Sequence, residues 1–267
     1  MSDGLYTHTT KENELTIIAS GGTDIGRKRR HNEDSFGVYD ELGLYLVADG
    51  MGGHAAGEVA SQAAVKILRD FMDATVVPDE ITWPFERDGN LSMTANRLVV
   101  GIRLANRVIL DRAKIKPELK GMGTTIVAAV LEGDRLHIAH VGDSRAYRFS
   151  GGTLARVTVD HSFVEEQVSA GIMSAEQART HPLRNVITRA LGVRDDMKVD
   201  INGFDLVPGD MYLFCSDGLS GMLGEPEITQ TLMEHTSDLD ACIQELIRRA
   251  NEKGGDDNIT AVLLRVA

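Results

Sequence analysis

Leu44-Tyr45-Leu46-Val47-Ala48 runs straight into Asp49-Gly50, an apolar stretch that stops at a carboxylate. The pattern returns at Leu136-His137-Ile138-Ala139-His140-Val141, which meets Gly142-Asp143-Ser144. It returns again at Met211-Tyr212-Leu213-Phe214-Cys215, which meets Ser216-Asp217-Gly218. A fourth acidic stretch, Gly254-Gly255-Asp256-Asp257-Asn258, opens the run from Ile259 to Val266. Short apolar runs punctuated by Gly and Asp read as buried strands. Carboxylates at the ends of such strands, gathered by folding, form an oxygen-rich cage suited to hard divalent cations. A single Asp-Gly is also a common hairpin turn, because glycine tolerates positive φ and aspartate bonds its own backbone. Glu132-Gly133-Asp134, between runs at 124–131 and 135–141, reads as that ordinary case.

Working outward, Arg29-Arg30-His31-Asn32-Glu33-Asp34 precedes a further strand at 35–39. A guanidinium presents a planar fork that matches two phosphate oxygens and stays charged at any working pH. A cation that grips an oxyanion beside carboxylates that grip metals is the equipment of phosphoryl chemistry. The plain alternative for Arg27 to Arg30 is a solvated or nucleic-acid-facing basic patch.

The ordered set Arg29-x-x-x-Glu33-Asp34, Ala48-Asp49-Gly50-Met51-Gly52-Gly53-His54, Gly123-Thr124-Thr125, Val141-Gly142-Asp143-Ser144-Arg145, Ser216-Asp217-Gly218-Leu219 and Gly255-Asp256-Asp257-Asn258 resembles the signature motifs of the metal-dependent protein phosphatases (PPM family, type 2C) in their bacterial form. The resemblance covers about residues 16 to 266. It implies hydrolysis of phosphoserine and phosphothreonine in proteins by a metal-activated water, with two Mn²⁺ or Mg²⁺ ions roughly 3.5–4 Å apart. Asp49 is the expected bridging carboxylate, with the Gly50 carbonyl beside it. Asp217 and Asp257 complete the first ion, and Glu33 supports the second. Asp143 with Asp217 matches a possible third ion. Arg29 is expected to hold the phosphoryl oxygens, and Asp34 to orient Arg29 or a bound water. Oxygen-only donors without Cys/His spacing argue against zinc.

Two positions depart from the family pattern. Met51 stands where some members carry a histidine suited to protonate the leaving group, and His54 follows three residues later. His54 is either that general acid or a structural residue at a helix entry. Lys28 stands where an apolar residue often precedes the motif arginine. Cys215 lies near Asp217, but no Cys-x5-Arg phosphate cradle accompanies it, so it reads as core.

Composition agrees with one enzyme domain. The 267 residues suffice for a large core, and no apolar run reaches a membrane-spanning length. Met1-Ser2-Asp3-Gly4-Leu5 lacks a signal-peptide pattern, and the two cysteines, Cys215 and Cys242, read as buried thiols; a cytoplasmic location follows. The net charge of −12, from 28 basic and 40 acidic side chains, repels nucleic acid and anionic lipid. A monomer acting on phosphoproteins, opposite a Ser/Thr kinase, is the expectation for partners.

Strands are expected at 15–20, 35–39, 43–48, 124–131, 135–141, 145–149, 154–157, 197–205, 211–215 and 259–266, joined by short antiparallel turns. Three helical stripes accompany them: Val59, Ala63, Ile67, Phe71; then Leu91, Ala95, Leu98, Ile102, Ala105, Ile109; then Leu239, Cys242, Leu246, Ala250, with Ser237 as N-cap. Helices against strand layers make a layered α+β sandwich. The resemblance sharpens this to four layers, α-β-β-α, with two packed antiparallel sheets flanked by helices. Residues 1–14 read as a loose tail before a single domain at 15–267. Residues 73–90, with the only Trp, read as a surface connection or an aromatic clamp. Residues 160–192, with a capping box at Ser174-Ala175-Glu176-Gln177, read as an ordinary helical crossover or as the family's substrate-facing flap. Two rival functions remain: a non-catalytic signalling module on the same fold, and a metal-dependent phosphodiesterase or small-molecule phosphatase.

Overall fold

The computed structural model describes residues 8–9, 15–52, 56–76 and 82–267. Numbered along the chain, the strands are β1 (His8–Thr9), β2 (Thr16–Asp24), β3 (Asp34–Tyr39), β4 (Leu44–Met51), β5 (Gly123–Thr124), β6 (Ile126–Glu132), β7 (Arg135–Val141), β8 (Arg145–Ser150), β9 (Thr153–Arg156), β10 (Asp200–Asp205), β11 (Met211–Cys215) and β12 (Ile259–Val266). The α-helices are α1 (Ala56–Ala74), α2 (Met93–Ile115), α3 (Phe163–Ser169), α4 (Ala175–Thr180), α5 (Asp217–Ser220), α6 (Glu225–Glu234) and α7 (Leu239–Glu252). One sheet has the order β1-β2-β12-β11-β8-β9 and the other β10-β7-β6-β4-β3, with β5 paired to the end of β4. Every pairing is antiparallel.

The continuous apolar runs are explained by burial on both faces. Leu44, Leu46 and Ala48 of β4 pack with the helices α1 (Ala56–Ala74) and α2 (Met93–Ile115). Tyr45 and Val47 point the other way, into a layer shared with Tyr212 and Phe214 of β11 and Val262 and Leu264 of β12. Met211, Leu213 and Cys215 turn outward against α6 (Glu225–Glu234) and α7 (Leu239–Glu252), through Ile228, Leu232, Cys242 and Leu246. The period-two alternation of a strand therefore sorts each run between an inter-sheet core and a helix-facing core. The result is the expected four-layer α-β-β-α sandwich.

Several local readings hold. Gly133-Asp134 is the two-residue tip joining β6 to β7, with Glu132 opposite Arg135 and Gly133 at φ 60°. Ser174 and Gln177 form the capping box of α4 (Ala175–Thr180). The stripe Ala95, Leu98, Ile102, Ala105, Ile109 is fully buried, whereas Leu91 lies ahead of α2, whose N-cap is Ser92.

Other readings need correction. In α1 the deep face is Ala60, Ala64, Leu68 and Met72, one residue on from the expected stripe, and Val59 and Ile67 are only partly buried. Alanines and the larger residues alternate around this helix, so apolar periodicity alone does not separate its two adjoining faces. The N-cap of α7 is Asp238, which accepts from the Ala241 N–H at 2.9 Å, rather than Ser237. Strand β10 begins at Asp200, later than expected. Most of the expected tail lies outside the described residues, but His8–Thr9 pairs with Thr16 and Ile17. In the 73–90 connection, Trp83 packs edge-on against Phe71 of α1, with the ring centroids 6.3 Å apart.

Candidate active site

The alternation that builds the core also places the acids. Asp49 continues the inward series Tyr45, Val47, and Asp34 continues the inward series Val38, Phe36. The two aspartates lie directly opposite each other on neighbouring strands. Ser216 follows Tyr212 and Phe214 in the same way, and Thr260 precedes Val262. All four therefore fall at one end of the seam between the sheets.

The Asp-Gly pairs are not turns. Neither Gly50 nor Gly218 has positive φ. A Cβ on Gly50 would lie 2.2 Å from the Gly57 carbonyl oxygen and 2.5 Å from that of Glu33. A Cβ on Gly218 would lie 2.0 Å from the Asn258 carbonyl oxygen. Glycine is required because separate backbone segments converge here, carrying their acids with them.

The electrostatics record that convergence. Burial pushes the Asp49 carboxyl well above the usual range, and the charges of Asp34, Asp217, Asp143 and Asp257 push the same way. Burial raises Asp34 to about 7 against hydrogen bonds from Thr260 and Ser216, with Asp217 and Asp257 adding to the rise. Asp143 rises to about 7 through burial and the charges of Asp217 and Asp160. Asp217 is raised by burial and by the charge of Asp257, against the opposing pull of Arg145 and Arg29. Glu33 is raised by burial and Asp257 against the opposing pull of Arg29.

Backbone and side-chain bonds hold these groups in place. Ser216 Oγ donates to Asp34 Oδ2 at 2.8 Å and accepts from the Thr260 N–H at 3.0 Å. Asn258 Oδ1 accepts from the Glu33 N–H, and its Nδ2 donates to the Ile25 and His31 carbonyls. The Thr125 N–H donates to the Asp49 carbonyl, and Thr125 Oγ1 shares a 2.7 Å bond with Ser144 Oγ. This ties the end of β4 to the residue after Asp143. Arg29 is held by Asp257 at 2.6 Å rather than by Asp34, because Asp34 faces the buried seam and bonds Ser216.

The carboxylate set fits a hard divalent cation on two grounds. Its donors are all oxygens. The Oδ1 atoms of Asp34 and Asp217 are buried with no hydrogen-bond partner, although buried polar atoms are otherwise nearly always satisfied. No three of these acids have donor atoms all within 4.8 Å; among the described residues, only His140, His161 and Asp200 reach that spacing.

Sequence reasoning named Asp34, Asp49, Asp143 and Asp217, and the structure brings them together. Glu33, Gly50, Asp257 and Arg29 border them. His54 lies outside the described residues. Cys215 is fully buried and its thiol is pushed up to about 12, which suits a core residue and not a nucleophile. Ser216, Asn258 and Thr125 stood within the quoted motifs without an assigned role, since sequence shows no hydrogen-bond partner. Gly57, whose Cβ would lie 2.9 Å from the Glu33 carboxyl carbon, carried no local signal.

Residues 22–264 match the family model described as protein phosphatase 2C. The chain is 41% identical over 249 residues to a protein of Listeria welshimeri named serine/threonine phosphatase stp, spanning 91% of this chain and 93% of that one. The solved serine/threonine phosphatase of S. agalactiae superposes with a TM-score of 0.83 at 36% identity, covering 94% of this chain and all of that one. The catalytic domain of the serine/threonine protein phosphatase PstP, solved with two manganese ions, superposes with a TM-score of 0.80 at 34% identity, covering 95% and 99%. With its motifs in order, its sandwich of the same architecture and a match across nearly its full length, the chain belongs to the protein phosphatase 2C family.

Proposed function

We propose that this chain is a protein serine/threonine phosphatase that hydrolyses phosphoserine and phosphothreonine by direct attack of water. The observation that carries this reading is the buried carboxylate cluster, in which burial and neighbouring acids raise Asp34, Asp49, Asp143 and Asp217 and two oxygens are left unpartnered. Asp49, the Gly50 carbonyl, Asp217 and Asp257 would hold one Mn²⁺ or Mg²⁺, Asp49 and Glu33 a second, and Asp143 with Asp217 a third. When bound, such ions acidify a water so that it is nucleophilic near neutral pH and offset charge on phosphorus. Arg29, half-exposed at the rim, binds the phosphoryl oxygens and stabilises their charge in the transition state. Asp34, fixed by Ser216, accepts a proton or a hydrogen bond from water at the floor. The 160–192 segment serves as a substrate-facing flap. The protein works as a cytoplasmic monomer on phosphoproteins made by a Ser/Thr kinase, and binds neither nucleic acid nor membrane. The relatives' names and the manganese in a neighbouring structure support this reading.

Hydrolysis of a phosphothreonine peptide tests it, with Mn²⁺ and with chelator, beside Asp217→Asn. Turnover should require metal and fall by about two orders of magnitude or more in the variant. Metal binding without turnover in the unaltered protein would overturn the catalytic reading in favour of a binding module.

A further inference from the structure

Outside the carboxylate cluster, the most concentrated group of ligating side chains is His140, His161 and Asp200. A cation among them is disfavoured by the geometry. The two imidazoles stack with centroids 4.6 Å apart and planes 17° from parallel, so their lone pairs do not converge. His140 Nε2 bonds the Val159 carbonyl at 2.8 Å. Asp200 already lies within 3.2 Å of Arg189 and 3.5 Å of Lys198.

The same contacts describe a different device. The Gly142 N–H donates to His161 Nδ1 at 3.1 Å, and the His161 N–H donates to the Gly142 carbonyl at 2.9 Å. One residue thus grips the backbone immediately before Asp143 with both its side chain and its main chain. Gly142 needs that grip. Its φ is +112°, and a Cβ there would lie 2.5 Å from Thr125 Cβ. For Nδ1 to accept, the ring proton must sit on Nε2, and Nε2 faces Asp200 Oδ2 at 3.3 Å. Asp200 lies opposite His140 in the β10–β7 pairing, and Arg189 also holds its carboxylate, through Oδ1 at 3.2 Å. Burial, His140 and Arg189 lower His161 to about 4, which keeps the ring neutral and able to accept at neutral pH. Asp160, the preceding residue, binds Arg145 through Nε at 3.0 Å and Nη2 at 2.6 Å, holding the other side of the same turn.

We propose that His161 is a positioning residue for Asp143, with Asp200 setting the tautomer that lets the imidazole hold the Gly142 N–H. The proposal rests on the reading of Asp143 as a cation ligand. His161 holds the backbone next to the ligand and Asp200 acts through His161; outer partners of a metal site typically contribute about 10- to 100-fold in metal affinity.

Calorimetric Mn²⁺ titration of the full chain tests this, with thermal unfolding in chelator as the control for folding. The proteins are the unaltered chain, Asp143→Asn, His161→Ala, His161→Asn, Asp200→Asn and the double variant Asp143→Asn/His161→Ala. His161→Ala should weaken by tenfold or more the class of sites that Asp143→Asn loses, and leave the other sites unchanged. The double variant should match Asp143→Asn alone. His161→Asn places an amide oxygen near the position of Nδ1 and should restore most of the affinity, and it decides the matter if the alanine variant does not fold. Asp200→Asn should weaken the same class. A His161→Ala isotherm identical to the unaltered one overturns the proposal, as does equal weakening of every class with a lowered Tm. If Asp143→Asn itself titrates normally, Asp143 is no ligand and this inference falls with that part of the assignment. The core site is judged separately by Asp49→Asn, since Asp49 is assigned to the first two ions and not to the third.

Discussion

At the scale of single residues, the site is built from groups that would be unfavourable elsewhere. Asp34 is buried with one oxygen unpartnered and the other held by Ser216 Oγ. Ser216 is itself fully buried and also satisfies the Thr260 N–H. Ser216→Ala therefore orphans the Thr260 N–H and removes the hydroxyl that donates to Asp34 Oδ2. The expected cost is about 1–3 kcal/mol in urea unfolding, with Asp34 displaced further upward. An unchanged midpoint would show that the hydroxyl bears no part in holding the seam. Glycine acts here as geometry rather than flexibility, since at Gly50 and Gly218 a methyl group would strike backbone oxygens that bring the acids together.

At the scale of elements, the helices cover the outer faces of the sheets, and their deep faces are set by packing. Leu68 is fully buried against the second sheet, while its neighbour Ile67 is only partly so. Leu68→Ala should cost about 2–5 kcal/mol in equilibrium unfolding and Ile67→Ala less than half as much, because only the first leaves a cavity in a closed core. The reverse order would restore the stripe expected from periodicity. The strands were legible because each run is short, apolar and punctuated. The registers were not, because pairing Asp34 with Asp49 depends on partners far along the chain.

At the scale of the whole molecule, folding concentrates acid at one end of the inter-sheet seam. Asp34 and Asp143 each sit at about 7, above the unfolded value of 3.8. Between those values the folded state binds more protons, so in chelator their contribution to stability is lost as pH rises through about 7. A cation replaces those protons. The gain in Tm on adding Mn²⁺ over chelator should therefore grow from pH 5.5 to about 8, as measured by calorimetric scanning at matched ionic strength. A gain that shrinks with rising pH would mean that the carboxylates are not the binding site. The excess of acidic over basic side chains in the sequence works in the same direction, since remote negative charge also draws cations.

By itself the sequence determined the sandwich of strands and helices, the acids at strand ends and the family, since these rest on local periodicity and on motifs in fixed order. The four central aspartates were legible because each closes an apolar run or opens a strand. Only the tertiary structure decided that Asp-Gly here means close backbone approach, that Arg29 pairs with Asp257, and that Ser216, Asn258 and Thr125 hold the acids. It alone joined His161 to Gly142 and Asp200, residues 19 and 39 positions away. Periodicity reports which face a residue takes; which atoms meet across that face depends on registers and crossings that no local stretch of chain encodes.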